Sequence, residues 1–243
     1  MSRGAPNAPH AARRGTLARP RHQSGSRQAS TISLPDDISP AYPDRVTAVD
    51  LKSDLIGHLE GLNQAVLHKL DGLSEYELRR PMTPTATNLL GVTMHLASLQ
   101  AEYFGTTFGR PFPREGELYF LTDEDADPQD DLWVQPGATS DWVVDFFRAT
   151  WEHAKETFAA LELDSPGQIP TRPYAEVTLG EMLVHMVDET ARHAGHMDIV
   201  RELIDGAVGR YAGDGNIIDG YDWAAYRARV EAGAREAQER AES

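Results

Sequence analysis

Apolar residues recur at steps of three and four along most of the chain from residue 48 onward, which is the period of an amphipathic α-helix. The first stripe of this kind consists of Leu51, Leu55, Leu59, Leu62, Val66, Leu70 and Leu73. Pro81 and Pro84 then interrupt the pattern, because proline lacks the amide hydrogen that a helix interior uses. The sequence therefore predicts a first long helix that ends before residue 81.

A second and a third helix follow, separated by a long connection. The second is predicted to start after Thr87 as N-cap and to reach about residue 108, and the third to cover residues 141–162 behind Ser140. The connection contains several prolines and the acidic run TDEDADPQDD, residues 122–131. This run lacks the spacing and the glycine of a calcium-binding EF-hand loop. We interpret it as a solvated acidic loop within a crossover along the molecule.

The fourth helix has the clearest boundaries. Thr178 and Glu181 form a T-x-x-E capping box at its start, and Gly206 lies at its end; both are typical of helix termini. No strand-like alternation is found anywhere in the chain. Four long amphipathic helices with one long crossover predict an all-α protein, most simply a four-helix bundle.

The two ends of the chain differ from this body. Residues 1–45 are rich in Arg, Ser, Ala and Pro without apolar periodicity, so we expect a disordered basic tail. The bundle is assigned to residues 46–208, and residues 209–243 form a C-terminal extension with one helix. Trp223, Tyr226 and Val230 are expected to dock that helix onto the body.

Composition excludes several classes of function. Six of the 23 basic residues and none of the 38 acids lie in residues 1–34, so the remainder carries a net charge of −21. Such an acidic body argues against nucleic-acid binding, which needs a basic surface. No apolar run has the roughly 20 residues of a membrane span, and we expect a cytoplasmic protein. The absence of cysteine excludes disulfides, thiolate metal ligands and a cysteine nucleophile.

One segment of the fourth helix is rich in side chains that can bind metals. Residues 185–196, HMVDETARHAGH, contain three of the nine histidines. On an ideal helical projection with His185 at zero, Glu189 falls near about 40° and His193 near about 80°. Met186, which should face the core, falls near about 100°. Glu189 and His193 are therefore predicted to point inward.

An ionised carboxylate in an apolar interior is costly unless it is paired or ligated. Glu189 and His193 lie one turn apart and can grip one ion, and His95 on the second helix is the candidate third ligand. Three protein ligands leave a coordination position open, as in catalytic sites. His185 and His196 share the same face, so spacing alone does not choose among these residues. A simple Glu189–His193 ion pair fits the pattern too.

Two longer segments carry a resemblance to a known family. GLSEYELRRPMTPTATNLLGVTMHLASLQAEYFG (72–105) and TLGEMLVHMVDETARHAGHMDIVRELIDG (178–206) resemble the DinB-like superfamily of four-helix metalloproteins. The chain is most similar to the actinobacterial branch related to mycothiol-dependent maleylpyruvate isomerase. The resemblance covers roughly residues 50–206. The isomerase has an additional C-terminal α/β domain that this sequence lacks, so its isomerisation reaction is not expected here.

The resemblance implies a divalent metal held by His95 and by the pair Glu189 and His193. It implies a supporting position behind the ligands for His196, whereas His185 matches no ligand of the family and is expected in the core or behind the ligands. Such a set of donors suits Zn²⁺ and is compatible with Ni²⁺, Fe²⁺ or Mn²⁺. The sequence assigns no separate catalytic residue.

Three functions are compatible with these expectations. The first is a metal-dependent S-transferase, in which a low-molecular-weight thiol of the mycothiol type attacks a small electrophile. The second is metal-assisted hydrolysis of a small molecule. The third is a non-catalytic, metal-stabilised bundle that binds a ligand or forms a homodimer. We favour the first, with a small-molecule substrate as partner.

Overall fold

The chain, described here from a computed structural model, has defined structure over residues 50–123, 125–170, 176–215, 217–218 and 220–243. The basic tail predicted for residues 1–45 lies outside these residues. The described residues form seven α-helices and two short strands: α1 (Leu51–His68), α2 (Glu75–Arg79), α3 (Leu89–Phe104), α4 (Tyr119–Thr122), α5 (Ser140–Ala160), β1 (Pro166–Gln168), β2 (Glu176–Thr178), α6 (Leu179–Asp205) and α7 (Trp223–Glu242).

Helices α1, α3, α5 and α6 form the bundle. Helix α3 packs against both α5 and α6, and α6 also packs against α1. Their apolar faces enclose two adjoining clusters of side chains, one around Leu89, Leu96 and Phe146 and the other around Phe104 and Phe158. The predicted all-α class is confirmed, because the described strands add only one small hairpin.

The first predicted helix is divided in two. Helix α1 ends at His68, and the chain turns at Gly72, whose φ of 74° is in the left-handed region that favours glycine. Ser74 and Glu77 then form a capping box that starts α2. The apolar stripe continued past α1 because Leu70 is buried even though it is no longer helical. Periodicity alone therefore overestimated the length of α1.

Helix caps lie at or next to their predicted positions. Asn88 rather than Thr87 caps α3, its Oδ1 accepting from the Gly91 amide at 2.7 Å. Thr139 rather than Ser140 caps α5 in the same way. The capping box of Thr178 and Glu181 at the start of α6 is present as predicted. Gly206 ends α6 with a φ of 79°.

The hairpin before α6 was not predicted. Strands β1 and β2 are antiparallel, with Pro166 opposite Thr178 and Gln168 opposite Glu176. Each strand has only three residues, too few for a recognisable alternation of apolar and polar positions. The hairpin leads the chain directly into the capping box of α6.

The crossover between α3 and α5, residues 105–139, folds back along α3. It contains α4 and three single 3-10 turns, of which Asp130–Leu132 contacts α3. The side chain of Arg79 on α2 fixes its last part, donating to the carbonyl oxygens of Val134, Gln135 and Ala138. The acidic run therefore lies against the bundle over part of its length.

The predicted docking of the C-terminal helix is wrong. In α7 every residue is exposed, including Trp223, Tyr226 and Val230. The rings of Trp223 and Tyr226 pack against each other and against Tyr221. Three large apolar side chains over five turns make too narrow a stripe to bury a helix face.

None of the helices in the described part of the chain combines the length and the apolarity that crossing a membrane requires.

Candidate metal centre

Helix α3 carries His95 at the edge of its buried face. The neighbouring residues Met94 and Leu96 are in the core, at 3% and 0% exposure. The side chain of His95, by contrast, is 14% exposed to solvent. Asn88 fixes the start of the helix two turns earlier. His95 is therefore held by a rigid, well-packed element while its ring reaches the boundary with solvent.

Helix α6 places Glu189 and His193 one turn apart at the edge of its own buried face. Its buried residues, Leu179, Met182, Leu183, Met186, Thr190, Ala194, Met197 and Val200, span an arc from about 60° to about 180° on the projection used above. Glu189 and His193, near about 40° and 80°, lie at one margin of this arc. Their side chains are 24% and 16% exposed, so they are partly rather than fully inward.

The three side chains come together where α3 meets α6. His95 Nε2 lies 3.4 Å and His193 Nε2 lies 3.0 Å from Glu189 Oε1. One ligand atom from each residue lies within 4.8 Å of the other two. Within the described part of the chain, this is the one group of three or more metal-ligating side chains that are so close.

The other predicted residues lie at the margin of this cluster or outside it. His196 is exposed, and its ring packs edge-on against His193 at 5.4 Å between centroids. His185 is exposed as well and packs against Tyr103 at 5.2 Å. Both project near 0° to 20°, together with Leu203, which is 63% exposed. The expectation that His185 belongs to the core is therefore wrong, because the buried arc is rotated away from it.

Asp131 also belongs to the cluster, although it was not among the predicted site residues. Its Oδ2 lies 2.7 Å from His95 Nδ1, the ring nitrogen that faces away from Glu189. A carboxylate on the second nitrogen of a histidine fixes the tautomer and the orientation of the ring in many metal sites. The interpretation of residues 122–131 as a wholly solvated loop is wrong at this residue.

A close approach of two backbone segments sets the position of Asp131. At Gly91, one turn before His95, an added Cβ would lie 1.8 Å from the carbonyl oxygen of Leu132. Asn88 Nδ2 donates to that same oxygen at 3.4 Å. Since Asp131 immediately precedes Leu132, these contacts bring its carboxylate to His95. The available signal in the sequence was Gly91, which lies one turn before His95 on the same helix face and leaves room for a second backbone segment there.

Burial and charge act in opposite directions on the cluster. Burial lowers the pKa of His95, but the hydrogen bonds and negative charges of Asp131 and Glu189 outweigh it and leave that pKa raised. Burial lowers the pKa of His193, and the positive charge of His95 lowers it further. Burial raises the pKa of Glu189, yet the two histidines bring it below its ordinary value. The cluster therefore favours an ionised Glu189 beside a neutral His193.

The donor atoms fit a divalent transition metal. Two imidazole nitrogens and one carboxylate oxygen are a common catalytic zinc set with an open position, and such a set is also used for nickel and iron. Asp131 supplies the outer support that this class of site uses. By contrast, His193 Nδ1 is buried without a hydrogen-bond partner in the described part of the chain. Of the two histidines, therefore, His95 is the one whose second ring nitrogen is held by a carboxylate.

A cavity of about 440 Å³ opens beside Asp131. Ser98, Leu99 and Glu102 of α3 form one wall, beginning one turn after His95, and acidic residues of the crossover with Phe120 form another. A cavity of this size can hold a small organic molecule. The cavity borders the cluster at Asp131, and its lining includes none of His95, Glu189 and His193.

The bundle and the cluster of His95, Glu189 and His193 together define a DinB-like four-helix protein with a candidate metal centre. A model of the family described as mycothiol S-transferase matches residues 54–206, and the chain belongs to that family. The match lies within the residues assigned to the bundle from sequence.

Comparison with solved structures supports the fold. A conserved protein from Enterococcus faecalis has 16% sequence identity to this chain, a TM-score of 0.52, and coverage of 66% of this chain and 100% of its own. At that identity the likeness shows the fold alone. No curated protein gave a significant match.

Proposed function

We propose that this protein is a divalent-metal-dependent S-transferase that joins a low-molecular-weight thiol of the mycothiol type to a small electrophile. The observation that carries the proposal is the convergence of His95, Glu189 and His193 within 4.8 Å. Membership of the mycothiol S-transferase family supplies the thiol chemistry. The chain has no cysteine of its own, so the reacting sulfur is brought by the cosubstrate.

His95 Nε2, Glu189 Oε1 and His193 Nε2 are the atoms that would hold the metal. When bound there, a divalent cation lowers the pKa of a thiol and makes its nucleophilic form available at neutral pH. Asp131 orients His95 through Nδ1, and Glu189 contributes the negative charge that partly neutralises the cation. The cavity beside Asp131 is the space that we propose for the reactants. Zn²⁺ suits these donors best, and Ni²⁺, Fe²⁺ and Mn²⁺ are the alternatives.

Conjugation of mycothiol with 1-chloro-2,4-dinitrobenzene tests the activity. A sulfur–carbon bond forms, the carbon–chlorine bond breaks, chloride leaves and the thiol proton passes to solvent. We expect the metal-loaded protein to accelerate formation of the coloured conjugate and the chelator-treated protein to lose this acceleration. Absence of metal-dependent conjugation over a panel of electrophiles contradicts the proposal. Turnover of esters without thiol would instead indicate a hydrolase. A metal-dependent thermal shift with neither conjugation nor ester hydrolysis would indicate a non-catalytic binding bundle.

Elemental analysis tests the site independently of activity. Glu189→Ala should strongly reduce the metal content of the purified protein, because one of the three donors is lost. Glu202→Ala is the matched control, since Glu202 is an exposed acid on the same helix. Equal metal content in both variants would refute the proposed ligands.

A further inference from the structure

A second cavity, of about 430 Å³, is lined by Tyr119 and Phe120 of α4 and borders the cavity beside Asp131 at Phe120. The second cavity contains none of the proposed metal ligands and lies between α4 and the residues that lead into α5. Four of its lining residues are aromatic: Tyr119, Phe120, Trp133 and Trp142.

The aromatic walls are fixed by contacts of their own. Trp142 Nε1 donates to Glu117 Oε2 at 3.1 Å, and its ring packs on Phe146 at 5.3 Å. The hydroxyl of Tyr119 donates to the backbone carbonyl of Asp130 at 3.4 Å. The cavity is therefore preorganised, which reduces the entropy that a ligand loses on binding.

Trp133 forms the accessible part of the wall. It is 49% exposed, although it lies between the bundle-facing residues Leu132 and Val134. A half-exposed indole on a cavity already lined by three other rings offers an apolar flat surface to solvent. Aromatic pairs contribute about 0.5–1.5 kcal/mol beyond the burial of their area, so a planar ligand gains from stacking here.

The polar groups of the cavity restrict the charge of its ligand. Glu117 lines the wall and is ionised: its ion pair with Arg114 and the hydrogen bond from Trp142 hold its pKa below the ordinary value, against the effect of burial. Gln135 and Thr139 also line the cavity. A hydroxyl or amine donor would find an acceptor there, whereas an anion would meet a carboxylate.

We infer that this cavity is a binding site for an uncharged planar aromatic molecule of two or three fused rings that carries a hydrogen-bond donor. The volume is in the range of small-molecule sites. The site is separate from the proposed metal ligands, so the inference does not rest on the proposed function.

Calorimetric titration of the full chain with 2-naphthol tests the inference. We expect one site per chain, with the same affinity before and after removal of metal, because no metal ligand lines the cavity. Trp133→Ala should weaken binding at least about tenfold, which corresponds to the loss of one good aromatic contact. Trp223→Ala is the matched control, since Trp223 is equally exposed at 48% but lies on α7, and it should leave the affinity unchanged.

A blocking variant and a charged analogue complete the test. Gly137 lines the cavity, and an added Cβ there meets no atom within 4 Å, so Gly137→Trp should fill the cavity and abolish binding while circular dichroism stays that of the parent. 2-Naphthoate should bind at least about tenfold more weakly than 2-naphthol because its carboxylate meets Glu117. No heat with millimolar 2-naphthol, equal affinity in all three tryptophan and glycine variants, or a Trp133→Ala effect on oligomeric state alone would overturn the inference.

Discussion

At the scale of single residues, the chemistry of the candidate metal centre depends on which nitrogen of His95 is free. Asp131 Oδ2 lies 2.7 Å from Nδ1, so Nε2 is the ring nitrogen that faces Glu189 and His193. His193 has no such support among the described residues. The orientation of the cluster is therefore expected to depend more on Asp131 than on any neighbour of His193.

Replacement of Asp131 by Asn should weaken Zn²⁺ binding by about 10–100-fold, the usual effect of losing the carboxylate behind a metal-binding histidine. Chelator competition measures the dissociation constant, and ¹⁵N NMR of the imidazole reports the His95 tautomer. Asp125→Asn removes the same charge from an exposed position of the same segment and should change neither quantity. Identical Zn²⁺ affinity in the two variants would show that Asp131 does not position His95.

At the scale of elements, contacts from α2 and α3 hold the second half of the crossover in place. In its last third, the backbone of Leu132 lies against Gly91 of α3. At its end, Glu75 of α2 accepts hydrogen bonds from the amide and the hydroxyl of Ser140, the first residue of α5. The short helix α2 and a single glycine of α3 thus join the bundle to the part of the chain that immediately follows Asp131.

Gly91→Ala should lower the free energy of unfolding by about 1–3 kcal/mol, the usual cost of overpacking, because the new methyl group overlaps the Leu132 carbonyl. The displaced turn should also carry Asp131 away from His95 and weaken metal binding. Gly57→Ala on α1 is the control, since its Cβ meets nothing within 4 Å, and a stabilisation of up to about 1 kcal/mol is expected. Urea denaturation of both variants measures the difference. Equal stability in the two would contradict the observed packing.

The junction between α2 and α5 should depend on pH. Hydrogen bonds from Ser140, and then from Arg79, lower the pKa of Glu75 from 4.5 to about 2. Because the folded protein holds this carboxylate ionised, its stabilising contribution is fully present above about pH 4.5 and is lost as the pH falls towards 2.

Glu75→Gln should therefore destabilise the protein at pH 7, and the difference from the parent should shrink below pH 4.5. Urea midpoints at pH 7 and near pH 3 measure this change. Glu60→Gln, which removes an exposed acid from α1, is the control. A difference between Glu75→Gln and the parent that stays constant with pH would contradict the assigned cause.

At the scale of the whole molecule, the C-terminal helix is separate from the packed bundle. All residues of α7 are exposed. The segment before it is attached to the bundle: the Tyr211 hydroxyl donates to the Gly61 carbonyl at 3.1 Å. The buried Lys69 donates to the Gly209 carbonyl and forms an ion pair with Asp198. The contacts that close the bundle therefore end before α7 begins.

Removal of residues 221–243 should change the free energy of unfolding by no more than about 0.5 kcal/mol, as for other surface changes. Chemical denaturation of the shortened and full chains measures this. Light scattering on the same samples shows whether the exposed aromatic residues of α7 support a homodimer. A loss of several kcal/mol would mean that α7 contributes to the core.

The sequence by itself determined the helical class, the start of α6 and the pair one turn apart on it. These features depend on residues within about one turn of each other, and helical geometry relates such positions directly. The 3.6-residue period indicated four long helices, the capping box of Thr178 and Glu181 marked a boundary, and the resemblance to DinB-like proteins pointed to His95.

Only the tertiary structure decided which way each helix face turns and what lies against it. Helix α6 packs against α1 and α3, and these contacts set which of its faces is buried. His185 lies outside that buried face. Asp131 meets His95 across 36 residues, and the aromatic cavity joins residues from three separate segments. No local periodicity relates positions so far apart, since their contact arises from the path of the crossover over Gly91.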